Sequence, residues 1–325
     1  MSRRFAAVDC GTNSIRLLIA DARYHDGVVE VTELHRLMEI VRLGQGVDAT
    51  GTLASDALAR VRAALERYVE LMKLERVAAV RMVATSATRD ASNREEFFEM
   101  TRELLAPWDT QAEVITGQQE AALSFRGAID DLPADQEPFC VIDVGGGSTE
   151  VIVGDHAGNV RGSLSVPLGS VRITERFLHS SPASPHEISD AREFVAYHMD
   201  RVRQAVDVAE AHTVVGCAGT FTTLSALAQG LESYDPAAIH GSRLRFNALR
   251  PLNNAVVAAD AQTLAANPVM HPGRADVFAG GVLVVDGLMD LFETTGTDQF
   301  VISEKDILDG IVAGLIDDAE AGEVN

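Results

Sequence analysis

Two short segments of this chain carry residue types suited to handling phosphate. In the first, Asp9 precedes Gly11, Thr12, Asn13 and Ser14; in the second, Asp143 precedes Gly145, Gly146, Gly147, Ser148 and Thr149. Small residues let backbone N–H groups approach an anion, hydroxyls add donors, and a nearby carboxylate can hold the divalent cation that offsets phosphate charge. Asp9 and Asp143 are therefore the candidate metal ligands, and the residues after them the candidate phosphate cradle. Taken singly, each Asp is equally well a turn residue and each loop a plain tight hairpin.

Hydrolysis of a phosphoanhydride also needs a carboxylate that aligns water without gripping the phosphate. Glu120 and Glu150 are the candidates. Glu120 falls in the first turn of an expected helix, whose positive end keeps a carboxylate ionised; its plainer reading is an ordinary helix-end glutamate. Glu150 opens the strand after the second loop, with a surface carboxylate as its plainer reading. Arg89 follows an expected strand, at the end where ligands of open α/β sheets collect. It is either a clamp on the transferred phosphoryl group or a solvated loop arginine. A third small-residue turn, Gly216 to Thr220, joins a strand to an apolar helix and reads either as close packing or as a nucleotide contact.

The elements that must position these residues repeat. Phe5 to Asp21 reads FAAVDCGTNSIRLLIAD and Phe139 to Asp155 reads FCVIDVGGGSTEVIVGD, two strand–turn–strand units in register at an offset of 134. Between them, apolar residues at three- and four-residue spacing from Leu53 to Met72 predict a helix, followed by a strand at Val80 to Thr85. A second helix is expected after Ser92 with a Ser92/Glu95 capping pair. A strand at Glu113 to Ile115 then feeds a helix capped by Thr116/Gln119. The polar, proline-flanked stretch 132–138 reads as a linker. Beyond the second hairpin, a helix from Ile188 to Val206 leads to a strand at Thr213 to Val215, and the acidic tail from Ala319 onward is expected to fray. Alternating strands and helices over 325 residues, against about 150 for a typical domain, predict two α/β domains, 1–130 and 131–325.

Composition removes several classes. With 48 acidic against 27 basic residues the formal net charge is −21, which excludes broad nucleic-acid or anionic-membrane binding. All basic residues but Lys73 and Lys305 are arginine; neither lysine follows a glycine, so no Walker loop is present, and their place in an amphipathic stretch and an acidic segment argues against a Schiff-base lysine. Three cysteines without a CxxC pair and nine histidines without HxH or HExxH argue against a disulfide scaffold and structural zinc. No apolar run approaches the ~18 residues of a membrane span, so a soluble, cytoplasmic protein is expected.

The segments DCGTNSIR, ATSATRDASN, VITGQQEA, DVGGGSTE, PLGSVRITE, GCAGTFTTL and HPGRADVFAGG follow one another between Phe5 and about Gly310. In this order they resemble the exopolyphosphatase / guanosine pentaphosphate phosphatase family, of the actin, sugar-kinase and heat-shock ATPase superfamily. The resemblance implies two actin-like (ribonuclease H-like) α/β domains with an interdomain cleft. It makes Glu120 the base for the attacking water, Glu150 a second catalytic carboxylate, Asp143 the Asp associated with Mg²⁺ or Mn²⁺, and Arg89 a contact of the scissile phosphate.

The expected activity is release of terminal phosphate from inorganic polyphosphate. The alternatives are removal of the 5′-phosphate from guanosine pentaphosphate and a non-catalytic sensor of the same fold. A homodimer is implied, and Arg16, Arg94, Arg126 and Arg274 are candidates for guiding the outlying phosphate chain. Three departures stand out: Thr12 replaces the usual Ser, Gln119 replaces an acidic neighbour of Glu120, and SEKDILDGI (303–311) lacks the Gly and Arg frequent there. The chain resembles the short, two-domain actinobacterial type.

Overall fold

The computed structural model describes residues 2–25 and 28–322, so the last three residues of the expected frayed tail lie outside the described residues. The chain divides into two units. The first opens with the expected hairpin, β1 (Ser2–Cys10) and β2 (Ser14–His25), and continues through β3 (Val28–Ile40), α1 (Val47–Thr50), α2 (Ser55–Leu74), β4 (Ala79–Ala84), α3 (Ser86–Asp90), α4 (Arg94–Leu104), β5 (Ala112–Val114) and α5 (Gly117–Ile129).

The second contains β6 (Phe139–Val144), β7 (Thr149–Gly154), β8 (Val160–Val166), α6 (Ser170–Phe177), α7 (Pro185–Ala205), β9 (Thr213–Cys217), α8 (Ala218–Ala228), α9 (Pro236–Ile239), β10 (Arg243–Arg245), α10 (Phe246–Ala258), α11 (Ala261–Ala265), α12 (Phe278–Glu293) and β11 (Gln299–Ile302). The last helix is α13 (Ile307–Ala321).

The repeat seen in the sequence is a repeat of topology. The first sheet runs β3-β2-β1-β4-β5; the second runs β8-β7-β6-β9-β11 in the same sense, with β10 added at its far edge. In both, the first strand is antiparallel to the second and parallel to the fourth. Two sheets of one order, each with helices, are the actin-like (ribonuclease H-like) α/β arrangement. The third strands β3 and β8 have no counterpart in the sequence reading: both are edge strands with much of their length in water, so they lack a clean apolar alternation.

The unit boundaries differ from the expected 1–130 and 131–325 in two respects. The first break falls inside α5, between Leu123 and Ser124, rather than in the 132–138 linker. The chain from Ile307 onward belongs with the first unit. The reason lies in β1, whose alternation buries two faces: Ala6, Val8 and Cys10 pack with Val61, Leu65 and Tyr68 of α2, while Phe5 and Ala7 need a second cover. Ile307, Ile311 and Leu315, at four-residue spacing on α13, supply it. Gly310 keeps α13 flush on α5, since a Cβ there would stand 2.0 Å from the Leu123 carbonyl oxygen. The segment 319–321, expected to fray, is helical.

Local capping explains one success and one correction. Gln119 N–H donates to Thr116 Oγ1 (3.2 Å) and Thr116 N–H to Gln119 Oε1 (2.9 Å), so the expected box starts α5. The Ser92/Glu95 pair does not form. Instead Ser92 Oγ donates to the Gly51 carbonyl (2.9 Å), and the Asn93 amide bonds both the N–H and the C=O of Leu53, so these side chains tie down the turn before α2.

Candidate active site

In the first unit, Asp9, next to last in β1, lies directly opposite Arg16 of β2. Arg16 Nη2 and Nε both donate to Asp9 Oδ2, at 2.7 and 3.0 Å. Arg16, a candidate chain guide, is thus a partner of Asp9, and part of the carboxylate charge is already compensated. Between them Gly11 N–H donates to the Ser14 carbonyl (3.0 Å), closing the turn. The segment after β3 grips the loop's carbonyls: Gly44 N–H donates to Thr12 O (2.8 Å), and Val41 and Arg42 N–H donate to Asn13 O (3.0 and 2.8 Å). In a trans peptide the C=O of one residue and the N–H of the next point oppositely. The N–H groups of Asn13 and Ser14 therefore face away from that segment, as an anion nest requires. Thr12 Oγ1 and Asn13 Oδ1 are buried without a hydrogen-bond partner. Beside Asp9, burial first and the carboxylate second push the Cys10 thiol up, so it remains protonated and inert.

Arg89 is not in a loop. It lies in the last turn of the short helix α3 after β4, and its Nη1 donates to the Ile115 carbonyl (2.8 Å) and to Glu120 Oε2 (3.1 Å). Glu120 is buried in the first turn of α5. The arginine therefore fixes the carboxylate at a helix N-terminus, rather than standing solvated. One residue earlier, Thr88 Oγ1 is buried without a partner.

The second unit repeats the hairpin turn bond for bond. Gly145 N–H donates to Ser148 O at 3.0 Å, so that donor is committed to the turn and is removed from the expected phosphate cradle. Ser170 N–H takes Gly145 O (3.0 Å), and Val171 and Arg172 N–H take Gly146 O (2.9 and 3.1 Å), which turns the N–H groups of Gly146 and Gly147 outward by the same geometry. A Cβ at Gly169 would stand 2.4 Å from the Gly146 carbonyl, so the gripping segment lies flat on the loop. Thr149 is a second correction: it is fully buried, and its Oγ1 donates to the Leu168 carbonyl (2.8 Å) instead of facing a ligand.

Asp143 and Glu150 are register partners across β6 and β7, where the first unit has Asp9 and Arg16. Ser124 Oγ donates to Asp143 Oδ2 (2.7 Å) and Ser165 Oγ to Glu150 Oε1 (2.7 Å). At 1% exposure, Glu150 is no surface carboxylate. Two acids on one strand pair repel unless a proton or cation stands between their charges.

A model of the Ppx/GppA phosphatase family matches residues 19–318. The chain belongs to that family. It is similar to Exopolyphosphatase 2 of Mycobacterium tuberculosis, 50% identical over 315 residues that span 96% of this chain and 98% of that one. It is also similar to the guanosine-5′-triphosphate,3′-diphosphate pyrophosphatase of Aliivibrio fischeri, 27% identical, covering all of this chain and 61% of the relative. Among solved structures, that of an exopolyphosphatase-like protein superposes with a TM-score of 0.88 at 37% identity, covering 95% of this chain and 98% of the other.

For a phosphatase of this family the donor chemistry can be tested residue by residue. Asp143, a hard oxygen donor beside a second acid, fits Mg²⁺ or Mn²⁺; Asp9, gripped by Arg16, fits less well. Among the described residues no group of three or more His, Cys, Asp or Glu gathers as a metal cluster. Sequence reasoning missed Gly44 and Gly169, whose common signal is a Leu-Gly pair after the third strand of each half, Leu43-Gly44 and Leu168-Gly169. It also missed Arg172, whose Nε donates to Gly147 O (2.8 Å). In the third turn Gly216 backs onto the Phe221 ring, in keeping with close packing, and Gly219 lies under the Arg274 guanidinium, so this candidate guide is packed on α8.

Proposed function

We propose that this chain is an exopolyphosphatase that releases terminal phosphate from inorganic polyphosphate. The observation that carries the reading is the near full-length correspondence to a relative named exopolyphosphatase, at 50% identity, against 27% over part of a longer guanosine-type relative. The site supports the same chemistry.

In the proposed reaction the Glu120 carboxylate accepts a proton from water as the oxygen attacks the terminal phosphorus; the P–O bond to the next phosphate breaks and inorganic phosphate leaves. Arg89 holds Glu120 in place, which supports its role beside the reacting group. Within the first unit the outward N–H groups of Asn13 and Ser14, and within the second those of Gly146 and Gly147 with Ser148, are each suited to phosphate oxygens. Asp143 would hold Mg²⁺ or Mn²⁺, with Glu150 as its buried partner across the strand pair; such an ion supplies charge neutralisation of the phosphates. The homodimer and the cytoplasmic location stay part of the proposal. No helix among the described residues is long and apolar enough to cross a membrane.

The deciding experiment measures phosphate release from long-chain polyphosphate, tripolyphosphate, guanosine pentaphosphate and ATP side by side. Highest kcat/KM on polyphosphate is expected. Preference for the guanosine compound would overturn the substrate assignment while leaving the hydrolase chemistry standing.

A further inference from the structure

We propose that Ser124 and Ser165 are positioning residues, whose hydroxyls fix the carboxylates of Asp143 and Glu150 in the orientation in which that pair takes a divalent cation. This rests on the reading of Asp143 as the holder of Mg²⁺ or Mn²⁺ and extends it to what aims the side chain. Three of the four residues stand in one cross-strand row of the second sheet. Asp143 of β6 is the register partner of Glu150 of β7, and Glu150 is that of Ser165 of β8. Register partners project from the same face, so two acids and a hydroxyl lie side by side. Along the row, Ser165 Oγ donates to Glu150 Oε1 at 2.7 Å. At the other end the donor comes from outside the sheet: Ser124 of α5, itself buried, donates from Oγ to Asp143 Oδ2 at 2.7 Å. Each acid thus has one oxygen held by a hydroxyl from a different element, at the short distance of a charge-assisted O–H···O bond.

The first unit shows what these hydroxyls are for. Its matching row is Asp9, Arg16 and Met38 on β1, β2 and β3. There two nitrogens of the Arg16 guanidinium hold Asp9, and the place of Ser165 is taken by a thioether that donates nothing. The hydroxyl clamps therefore accompany the row in which an acid replaces the arginine. A carboxylate that binds a hard cation must present its oxygens at a fixed distance and angle. A hydrogen bond to one of them removes side-chain freedom that binding would otherwise have to remove, which raises affinity without a new contact to the ion. Ser124 acts in this way through Asp143, and Ser165 through Glu150.

The test titrates the full chain with Mn²⁺, without substrate, and follows free Mn²⁺ by electron paramagnetic resonance. The variants are Ser124→Ala, Ser165→Ala, Ser165→Thr and Asp143→Ala, with Ser225→Ala as control. Ser225 is a fully buried hydroxyl of the same unit, 2.8 Å from Ser242 Oγ, and reports the cost of losing a buried hydrogen bond alone. Ser124→Ala and Ser165→Ala should each raise the Kd for Mn²⁺ by about ten-fold. Ser165→Thr, which keeps the hydroxyl, should stay near wild type, and Ser225→Ala should lose stability but not Mn²⁺ affinity. Combined with Asp143→Ala, Ser124→Ala should add no further loss, because it acts through that carboxylate. Wild-type affinity in either serine-to-alanine variant removes that serine from the role, and an equal loss in Ser225→Ala overturns the proposal. If Asp143→Ala weakens Mn²⁺ binding while the serine variants do not, the metal reading of Asp143 stands and only the positioning falls. If wild type binds no Mn²⁺, or binds it equally well after Asp143→Ala, both fall.

Discussion

Arg89 Nη1 joins Glu120 Oε2 and the Ile115 carbonyl at once, 3.1 and 2.8 Å away. A single guanidinium nitrogen thereby ties the end of α3 to the strand–helix junction that presents the carboxylate. The pair behaves as one device: the base is useful only where the arginine holds it, and removing either partner takes the ion pair from the other.

Glu120→Gln should therefore lower kcat on the order of 10²-fold or more with little change in substrate affinity, because the amide keeps the size and loses the proton-accepting oxygen. Arg89→Ala should also lower kcat, and the double variant should be little worse than the poorer single one. Steady-state kinetics with a full double-mutant cycle measure this. Strictly additive losses would mean that the two side chains act separately.

Chelation tests the carboxylates of the second unit. Excess EDTA is expected to abolish phosphate release without unfolding the protein, since the core around β6 and β7 is built from apolar side chains. Asp143→Asn should raise the Mg²⁺ concentration for half-maximal activity by about ten-fold. Asp9→Asn should raise it less, as its oxygen already serves Arg16. Full activity in EDTA would exclude a metal requirement.

How much of this was legible follows from how local each signal is. The two hairpins were, because the strand period and the small-residue turn lie within seventeen consecutive residues and recur 134 positions later. The Thr116/Gln119 cap was legible for the same reason. The return of α13 was not: its apolar stripe states that it covers something, but only the tertiary fold states that the something is the outer face of β1. Thr149 looked like a loop hydroxyl because the Leu168 carbonyl that it bonds arrives from beyond β8. Glu150 looked like a surface acid because a strand of period two gives no hint that both of its faces are covered.

His198 predicts the direction of one pH effect. Its folded-state value is depressed to about 4 from an ordinary 6.5, so the unfolded chain binds the proton more readily. The contribution to stability is fully present above about pH 6.5 and is lost as the pH falls from there towards 4. Chemical denaturation of wild type and His198→Gln at pH 7.5, 6, 5 and 4 should show the variant losing less stability on acidification. Parallel pH profiles would mean that the histidine does not titrate in this range.

The nest geometry gives the last prediction. Gly169 has extended backbone angles that any residue adopts, so its requirement is purely one of space: a Cβ there would meet the Gly146 carbonyl carbon and oxygen at 2.4 Å and the Gly147 nitrogen at 2.5 Å. All three are backbone atoms that no side-chain rotamer can clear. Gly169→Ala must push the gripping segment off the loop, lengthening the bonds from Val171 and Arg172 to Gly146 O and releasing the peptide whose N–H faces outward. Thr149→Val removes a different support, the hydroxyl bond to Leu168 O, and leaves that carbonyl unsatisfied while the loop peptides keep their direction. Both variants should lose stability, by about 1–3 kcal/mol for Thr149→Val. Only Gly169→Ala should also raise KM for polyphosphate, by ten-fold or more, measured under conditions where each variant is fully folded. Equal KM values for the two variants would show that the outward N–H groups of Gly146 and Gly147 do not bind substrate.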